Sequence, residues 1–156
     1  FTVTAPVKDE NGRVIEEART DVRFVAGERL SVGGGDNDDD EDEDRAGLVL
    51  ARPRTGRWHQ IRQHLAGPDV GHPILGDSAH GYSRTNRRWK EERGMMSERC
   101  CLHLARVELP GTEYTDDLDV KCPLPRDMLE MLERHMPKVL ERAREVFEEE
   151  GVELSR

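Results

Sequence analysis

The chain has 156 residues, of which 37% are charged, 35% hydrophobic and 4% aromatic, and its formal net charge is −9. This length suits one domain, and no apolar run approaches the ~20 residues that a membrane-spanning helix needs. The charge is unevenly distributed, because residues 36–44 hold eight of the 33 acidic groups. Residues 52–106 instead hold eleven Arg and Lys against five acids, a basic stretch compatible with a polyanionic partner.

The N-terminal region is predicted to form two strands. Residues 1–7 alternate between apolar and polar side chains, and residues 17–25 form a second run with strand character. Between them, Asp9-Glu10-Asn11-Gly12 has the composition of a turn. Residues 33–45, which combine three glycines with the acidic run, are predicted to be a disordered surface insertion because glycine entropy and like-charge repulsion both oppose order.

The middle of the chain is predicted to contain a buried strand followed by a helix. Residues 48–50 are continuously apolar, and Thr55 is placed to cap a helix that begins near Arg57. Trp58, Ile61 and Leu65 are three and four residues apart, which gives that helix an apolar face. The helix is expected to end before Pro73.

The C-terminal region is predicted to contain one more strand and a helical tail. Residues 102–109 alternate as a half-buried strand. After Pro125, apolar residues recur at helical spacing, and Pro137 is expected to kink or split this helix. The predicted organisation is therefore a main region of residues 1–125 and a helical extension of residues 126–156.

The segment Thr55–His64 carries the densest group of chemically active side chains, with two arginines, two histidines and two glutamines on one short element. Such a cluster costs electrostatic repulsion, which a bound anion or a paired carboxylate would offset. A zinc site is the competing interpretation. The candidate ligands are His59, His64, His72 and His80. No cysteine or carboxylate is spaced to complete a usual zinc ligand set, so no metal is predicted.

The three cysteines form no CxxC pair, which favours a reducing compartment. A cytoplasmic location is expected, with an organelle left open because the residues before Phe1 are not visible.

The sequence contains two motifs in succession: Thr55-Gly56-Arg57-x-His59-Gln60-Ile61-Arg62-x-His64 and Gly71-His72-Pro73-Ile74-Leu75-Gly76-Asp77. Together they resemble the paired motifs of the RluA-type pseudouridine synthases. Weaker matches, at Ala18-Arg19-Thr20, residues 102–105 and residues 119–125, extend the resemblance over residues 1–125. His80-Gly81 and the later Asn86-Arg87 are most similar to the tRNA pseudouridine synthase C branch of that family.

The resemblance implies a mixed α/β (α+β) fold, with a largely antiparallel sheet flanked by helices, of which this chain is the C-terminal portion. It also implies a cofactor-free isomerisation of uridine to pseudouridine in structured RNA, with transfer RNA favoured over ribosomal RNA. In that reaction an aspartate attacks the nucleoside, the glycosidic bond breaks, the uracil turns, and its C5 bonds to the sugar. The family's His-Arg-Leu-Asp motif, which supplies the aspartate, is absent from this sequence and by family order would precede Phe1. The chain is therefore expected to be a truncated product without activity of its own.

Carried over residue by residue, the resemblance assigns Arg62 as the arginine that pairs with the catalytic aspartate. A guanidinium stays charged and can hold a carboxylate through two hydrogen bonds, which keeps the aspartate ionised and oriented. Arg54, Arg57, His59 and Gln60 are assigned to RNA binding, with positioning of the helix as the alternative for the last three. His72, Gly76 and Asp77 are interpreted as parts of a tight turn.

Two other classes of function remain open in the sequence. A non-catalytic RNA-binding module would keep this half of the fold without chemistry, and the presence or absence of the aspartate motif in the full-length gene discriminates it from the enzyme. A structural or interaction domain, built on the acidic segment and the C-terminal helix, is the third interpretation.

Overall fold

The computed structural model describes residues 1–30, 44–96 and 98–154. Its strands are β1 (Thr2–Val3), β2 (Val7–Lys8), β3 (Val14–Ile15), β4 (Thr20–Leu30), β5 (Asp44–Pro53), β6 (Arg106–Leu109) and β7 (Leu118–Lys121). Its helices are α1 (Gln60–Ala66), α2 (Ser83–Arg93), α3 (Arg126–His135) and α4 (Pro137–Glu150). The predicted insertion at residues 33–45 lies outside the described residues, except that β5 already begins at Asp44.

The chain divides into two compact units, and the first contains residues 1–25 and 47–101. The sheet order is β1-β4-β5, and β1 pairs antiparallel with β4 through Val3 and Thr20. A short antiparallel ribbon joins β2 to β3. The hydrophobic core of this unit is a cluster of Val3, Val22, Leu65 and Ile74. Helix α1 contributes Leu65 to that cluster, so burial of one apolar side chain fixes the helix that carries the arginine-rich segment.

The second unit contains residues 26–46 and 102–156. Strands β6 and β7 pair antiparallel, with Val107 opposite Val120. Helices α3 and α4 and the residue between them, Met136, supply the buried apolar side chains; those in the helices are Leu132, Val139, Leu140, Ala143, Val146 and Phe147. Arg106 ties the ribbon together: it contacts both carboxylate oxygens of Asp119 at 2.8 Å and donates to the backbone oxygen of Glu150.

The fold class predicted from the sequence is confirmed, since the described residues combine antiparallel strand pairs with four helices. The split of the C-terminal helix at Pro137 is also confirmed: α3 ends at His135 and Pro137 is the first residue of α4. Proline suits that position because its missing N–H would have no partner in the first turn.

Three element boundaries predicted from the sequence were wrong. Residues 1–7 are not one strand but β1 and β2, separated around Pro6, whose missing N–H cannot donate to a ladder. The strand expected at residues 102–109 begins only at Arg106, where its partner β7 is available for pairing. Helix α1 begins at Gln60 rather than near Arg57, and its N-cap residue is His59 instead of Thr55.

Among the described residues, no helix is both long enough and apolar enough to cross a membrane.

Candidate active site

The arginine-rich segment is anchored at its start by the side chain of Gln60. This residue is only 4% exposed. Its amide nitrogen donates to the backbone oxygen of Arg19 at 2.9 Å and to the hydroxyl of Thr20 at 3.0 Å. Its amide oxygen accepts from the Thr55 hydroxyl at 2.7 Å and from the backbone N–H of Arg57 at 3.2 Å. These bonds tie the turn before α1 to strand β4.

This geometry corrects the expectation that Thr55 caps the helix. The Thr55 hydroxyl instead donates to the Gln60 side chain and accepts from the backbone N–H of Arg19. The Gln60 side chain is buried, and four hydrogen bonds occupy its amide. Its role in RNA binding or in positioning the helix stays a prediction, and these contacts are those of a positioning residue.

Arg62 forms a two-bond ion pair with Asp77. Its Nε lies 2.7 Å from Oδ2 of Asp77, and its NH2 lies 2.6 Å from Oδ1. The Asp77 side chain is fully buried, whereas the Arg62 side chain is 20% exposed. Arg62 is therefore held in one orientation, while a fifth of its side chain stays accessible to solvent.

The charge state of this pair follows from its contacts. Burial opposes ionisation of Asp77, but the hydrogen bonds from Arg62 and from the backbone N–H groups of His80 and Ala79 outweigh it. The pKa of Asp77 is consequently held well below its ordinary range. The hydrogen bonds from Arg62 to Asp77 likewise raise the pKa of Arg62, against the opposing effect of burial. Both groups stay charged across the physiological range.

The turn that presents Asp77 is built by close backbone contacts. Gly76 has a φ of +78°, and a Cβ at this position would lie 1.8 Å from the backbone oxygen of Arg99. Asn86, on α2, accepts from the backbone N–H of Gly76 at 2.8 Å and donates to the backbone oxygen of Asp77 at 2.9 Å. A Cβ at Gly81 would meet that same oxygen at 2.2 Å. The turn therefore depends on two glycines and on one side chain from the helix that follows.

A histidine pair extends the site beyond the ion pair. NH1 of Arg62 lies 2.9 Å from Nε2 of His59, and Nδ1 of His59 lies 3.2 Å from Nε2 of His80. Because NH1 can only donate, His59 accepts at Nε2, and its Nδ1–H donates to His80. Burial, followed by the charges of Arg62 and His80, lowers the pKa of His59, which favours this neutral form.

The four histidines considered as zinc ligands do not converge. His64 is buried, and its ring nitrogens contact the hydroxyl of Thr20 and the backbone oxygen of Ala5, both at 2.9 Å. His72 is exposed. In the ranges that the structure covers, no group of three or more His, Cys, Asp or Glu side chains could hold a metal ion.

The two arginines assigned to RNA differ in their surroundings. Arg54 is exposed, and its Nε lies 2.6 Å from Oδ2 of Asp21. Hydrogen bonds from Arg54 and Thr2 lower the pKa of Asp21 to about 2. Arg57 is exposed as well, and its Nε donates to the backbone oxygen of Glu17 at 3.2 Å. Arg57 thus lies at the surface beside the helix that carries Arg62.

The sequence of this chain is similar to parts of several bacterial proteins. The tRNA pseudouridine synthase C of Salmonella typhimurium strain LT2 is 49% identical over 88 residues, which is 56% of this chain and 32% of the relative. The same-named protein of Salmonella typhi is 40% identical over 88 residues, with the same coverage of both chains. The ribosomal large subunit pseudouridine synthase D of Vibrio cholerae is 37% identical over 84 residues, which is 51% of this chain and 25% of the relative.

This chain is related to the RluA-type RNA pseudouridine synthases. The match covers about a third of the length of the tRNA pseudouridine synthase C relatives. No family model matches the chain.

One residue of this site was not expected from the sequence: Asp77 was interpreted as part of a turn and not as the partner of Arg62. A signal was available: between Arg45 and Asp77 the only other acid is Asp69, while the segment from Arg52 to Arg62 carries four arginines. Because the arginine cluster needs a buried counter-charge, the carboxylate in the nearest motif, Asp77, is the best candidate for its partner.

Proposed function

We propose that this chain is the arginine-bearing part of an RNA pseudouridine synthase that converts uridine to pseudouridine in structured RNA. One observation carries the proposal: the two family-like motifs meet in the ion pair between Arg62 and Asp77. The names of the relatives at 37–49% identity point to the same chemistry.

In this proposal Arg62 binds the catalytic aspartate with the part of its guanidinium that Asp77 does not use. A guanidinium has five N–H donors, and the bonds to Asp77 and His59 use three of them. Two donors remain for a second carboxylate. A cation at that position would keep the nucleophilic aspartate ionised and oriented toward the sugar.

The roles of the remaining residues follow from their positions. Asp77 is a positioning residue, because it fixes Arg62 without belonging to the reacting atoms. His59 accepts from NH1 of Arg62 and restricts the direction of that group. Arg57 and Arg54 are exposed cations that can contact RNA phosphates. The target uridine has to leave its stack to reach a carboxylate, as in other enzymes that modify bases.

The sequence contains no His-Arg-Leu-Asp motif, so this chain supplies the arginine and not the nucleophile. Isomerisation through an aspartate needs no cofactor. Transfer RNA is the favoured substrate, because seven of the relatives found here carry the name tRNA pseudouridine synthase C.

Incubation of the full-length protein with unmodified transfer RNA and with large-subunit ribosomal RNA tests the proposal. Pseudouridine is then measured by mass spectrometry of nuclease digests. Formation of pseudouridine in transfer RNA supports the enzyme and its favoured substrate, and formation only in ribosomal RNA keeps the activity but corrects the substrate. Tight RNA binding with no pseudouridine in either RNA would instead establish the non-catalytic RNA-binding module.

A further inference from the structure

Trp58 lies at the surface next to the proposed catalytic arginine, and its exposure is unusual for the largest apolar side chain. The Trp58 side chain is 50% exposed, whereas Trp89, the other tryptophan, is 1% exposed. One face of the Trp58 indole packs on the imidazole of His59, with ring centroids 4.2 Å apart and an interplanar angle of 23°. Because that face is covered, the exposed half of the side chain includes the opposite face.

The imidazole under Trp58 is itself fixed. His59 has a φ of +48°, the only positive φ among the non-glycine residues that the structure describes. Its two ring nitrogens contact NH1 of Arg62 and Nε2 of His80. The backbone oxygen of Trp58 accepts a hydrogen bond from the Gln63 side chain at 2.9 Å. The indole is therefore held by a rigid support before any ligand arrives, which lowers the entropy cost of stacking.

We propose that the outer face of Trp58 is a stacking site for an unpaired RNA base, a neighbour of the uridine that reaches Arg62. This inference rests on the proposed function and adds a base-binding residue to it. Exposed aromatic side chains beside cationic residues are the usual means of holding single-stranded nucleic acid, because every base has a π-face and every nucleotide carries a phosphate.

The surroundings of Trp58 favour a nucleotide over an apolar peptide side chain. Arg57 is exposed and is the residue next to Trp58 in the chain. NH1 of Arg62 contacts the edge of the same histidine ring on which Trp58 stacks, at 2.9 Å from its Nε2. A base on the indole would thus lie one residue from an exposed cation and one imidazole ring from the proposed reaction centre. An apolar peptide would gain nothing from these charges.

Tryptophan fluorescence of the 156-residue chain tests the proposal, with a short oligouridylate and an abasic oligonucleotide of equal length as probes. The Trp58→Phe variant reports the emission of buried Trp89 alone. Subtracting its emission from that of the wild type therefore gives the emission of Trp58. We expect oligouridylate to quench Trp58 emission and the abasic oligonucleotide to leave it unchanged. Trp58→Leu should weaken oligouridylate binding roughly 5- to 150-fold, the range for loss of one stacked base. Trp58→Phe should keep most of the affinity, because a phenyl ring still stacks.

The abasic oligonucleotide is the matched control for phosphate contacts. Its affinity should be equal for the wild type and Trp58→Leu, and the salt dependence of binding should not change, since no phosphate contact is removed. The proposal is overturned if oligouridylate causes no quenching, if Trp58→Leu and Trp58→Phe weaken binding equally, or if Trp58→Leu weakens the abasic oligonucleotide as much.

The outcome is separable from that of the proposed function. Pseudouridine formation by the full-length protein without quenching of Trp58 would remove only the stacking site. Quenching without pseudouridine formation would leave a base-binding surface on an RNA-binding module.

Discussion

Arg62 and Asp77 carry opposite charges in a largely buried position, and the hydrogen bonds from Arg62 help to keep Asp77 ionised. Asp77 is fully buried, so without Arg62 its charge would be strongly disfavoured. Arg62 gains a fixed direction from the same contact. The two residues form a unit in which the carboxylate fixes the orientation of the cation.

Asp77→Asn should destabilise the chain by about 2–4 kcal/mol, slightly below the range for breaking a fully buried pair because a fifth of the Arg62 side chain is exposed. The asparagine keeps the shape of the side chain but leaves the guanidinium without a counter-charge. Urea unfolding followed by circular dichroism measures the change. Asp21→Asn is the matched control, since its partners Arg54 and Arg19 are more than half exposed and its loss should be much smaller. Equal losses for the two variants would show that Asp77 is no special partner of Arg62.

The same groups give the chain a defined dependence of stability on pH. The folded-state pKa of Asp77 lies below the ordinary 3.8, and that of His59 lies below the ordinary 6.5. In both cases the unfolded chain takes up the proton at a higher pH than the folded chain, so the free energy of unfolding falls as the pH falls. As the pH falls, the decline in the free energy of unfolding that His59 causes starts near pH 6.5, and the decline that Asp77 causes starts near pH 3.8. His59→Asn should lack the first decline in urea unfolding measured across this range; an unchanged profile would contradict the assignment.

Arg62 could be singled out from the sequence directly, whereas its pairing with Asp77 was indicated only by the balance of charges. Arg62 stands in a motif whose order and spacing are specific, so the resemblance identifies it directly. Asp77 is fifteen residues further on, and its contact depends on how the turn at Gly76 and the end of α1 approach each other. Likewise, the burial of Gln60 depends on strand β4, which lies forty residues earlier in the chain. Pairings of this kind are set by tertiary packing, about which local residue patterns carry little information.

The turn between α1 and α2 is the element that brings the two motifs together. Gly76 and Asn86 hold Asp77 from both sides, so the position of the carboxylate depends on backbone geometry as well as on charge.

Gly76→Ala should cost at least twice the stability that Gly71→Ala costs. Both glycines have a positive φ, which disfavours alanine by about 1–2 kcal/mol. Only at Gly76 would the new Cβ meet a backbone oxygen, whereas at Gly71 nothing lies within 4 Å. Thermal unfolding of the two variants compares the costs. Similar melting temperatures would mean that the turn can relax away from Arg99.

A helix could be predicted from the sequence when its apolar residues recur at regular helical spacing. The tail helices bury six apolar residues at helical spacing, and the proline that begins α4 marks the break, so both were predicted. Helix α2 was missed because it buries only Asn86 and Trp89 and is otherwise charged or polar. The start of α1 was misplaced because Thr55 has the chemistry of a cap but is used by Gln60 instead.

Taken as a whole, the chain spans about a third of the length of its tRNA pseudouridine synthase C relatives, and its sequence lacks their family's aspartate motif. We therefore expect the purified 156-residue chain to form no pseudouridine in transfer RNA, because Arg62 has no nucleophile to orient. Mass spectrometry of RNA digests measures the product. Pseudouridine formed by this chain alone would mean that another residue serves as the nucleophile.

Activity of Arg62 variants in the full-length protein tests the central claim most directly, with single-turnover pseudouridine formation and RNA affinity measured at several salt concentrations. If Arg62 pairs with the catalytic aspartate, Arg62→Ala abolishes turnover while RNA affinity and its salt dependence stay near those of the wild type. Arg62→Lys restores turnover only in part, since an ammonium keeps the charge but cannot hold both carboxylate oxygens. Near-normal turnover by Arg62→Ala, with weaker RNA binding and a salt slope reduced by about one unit, would make Arg62 a phosphate contact and contradict the claim.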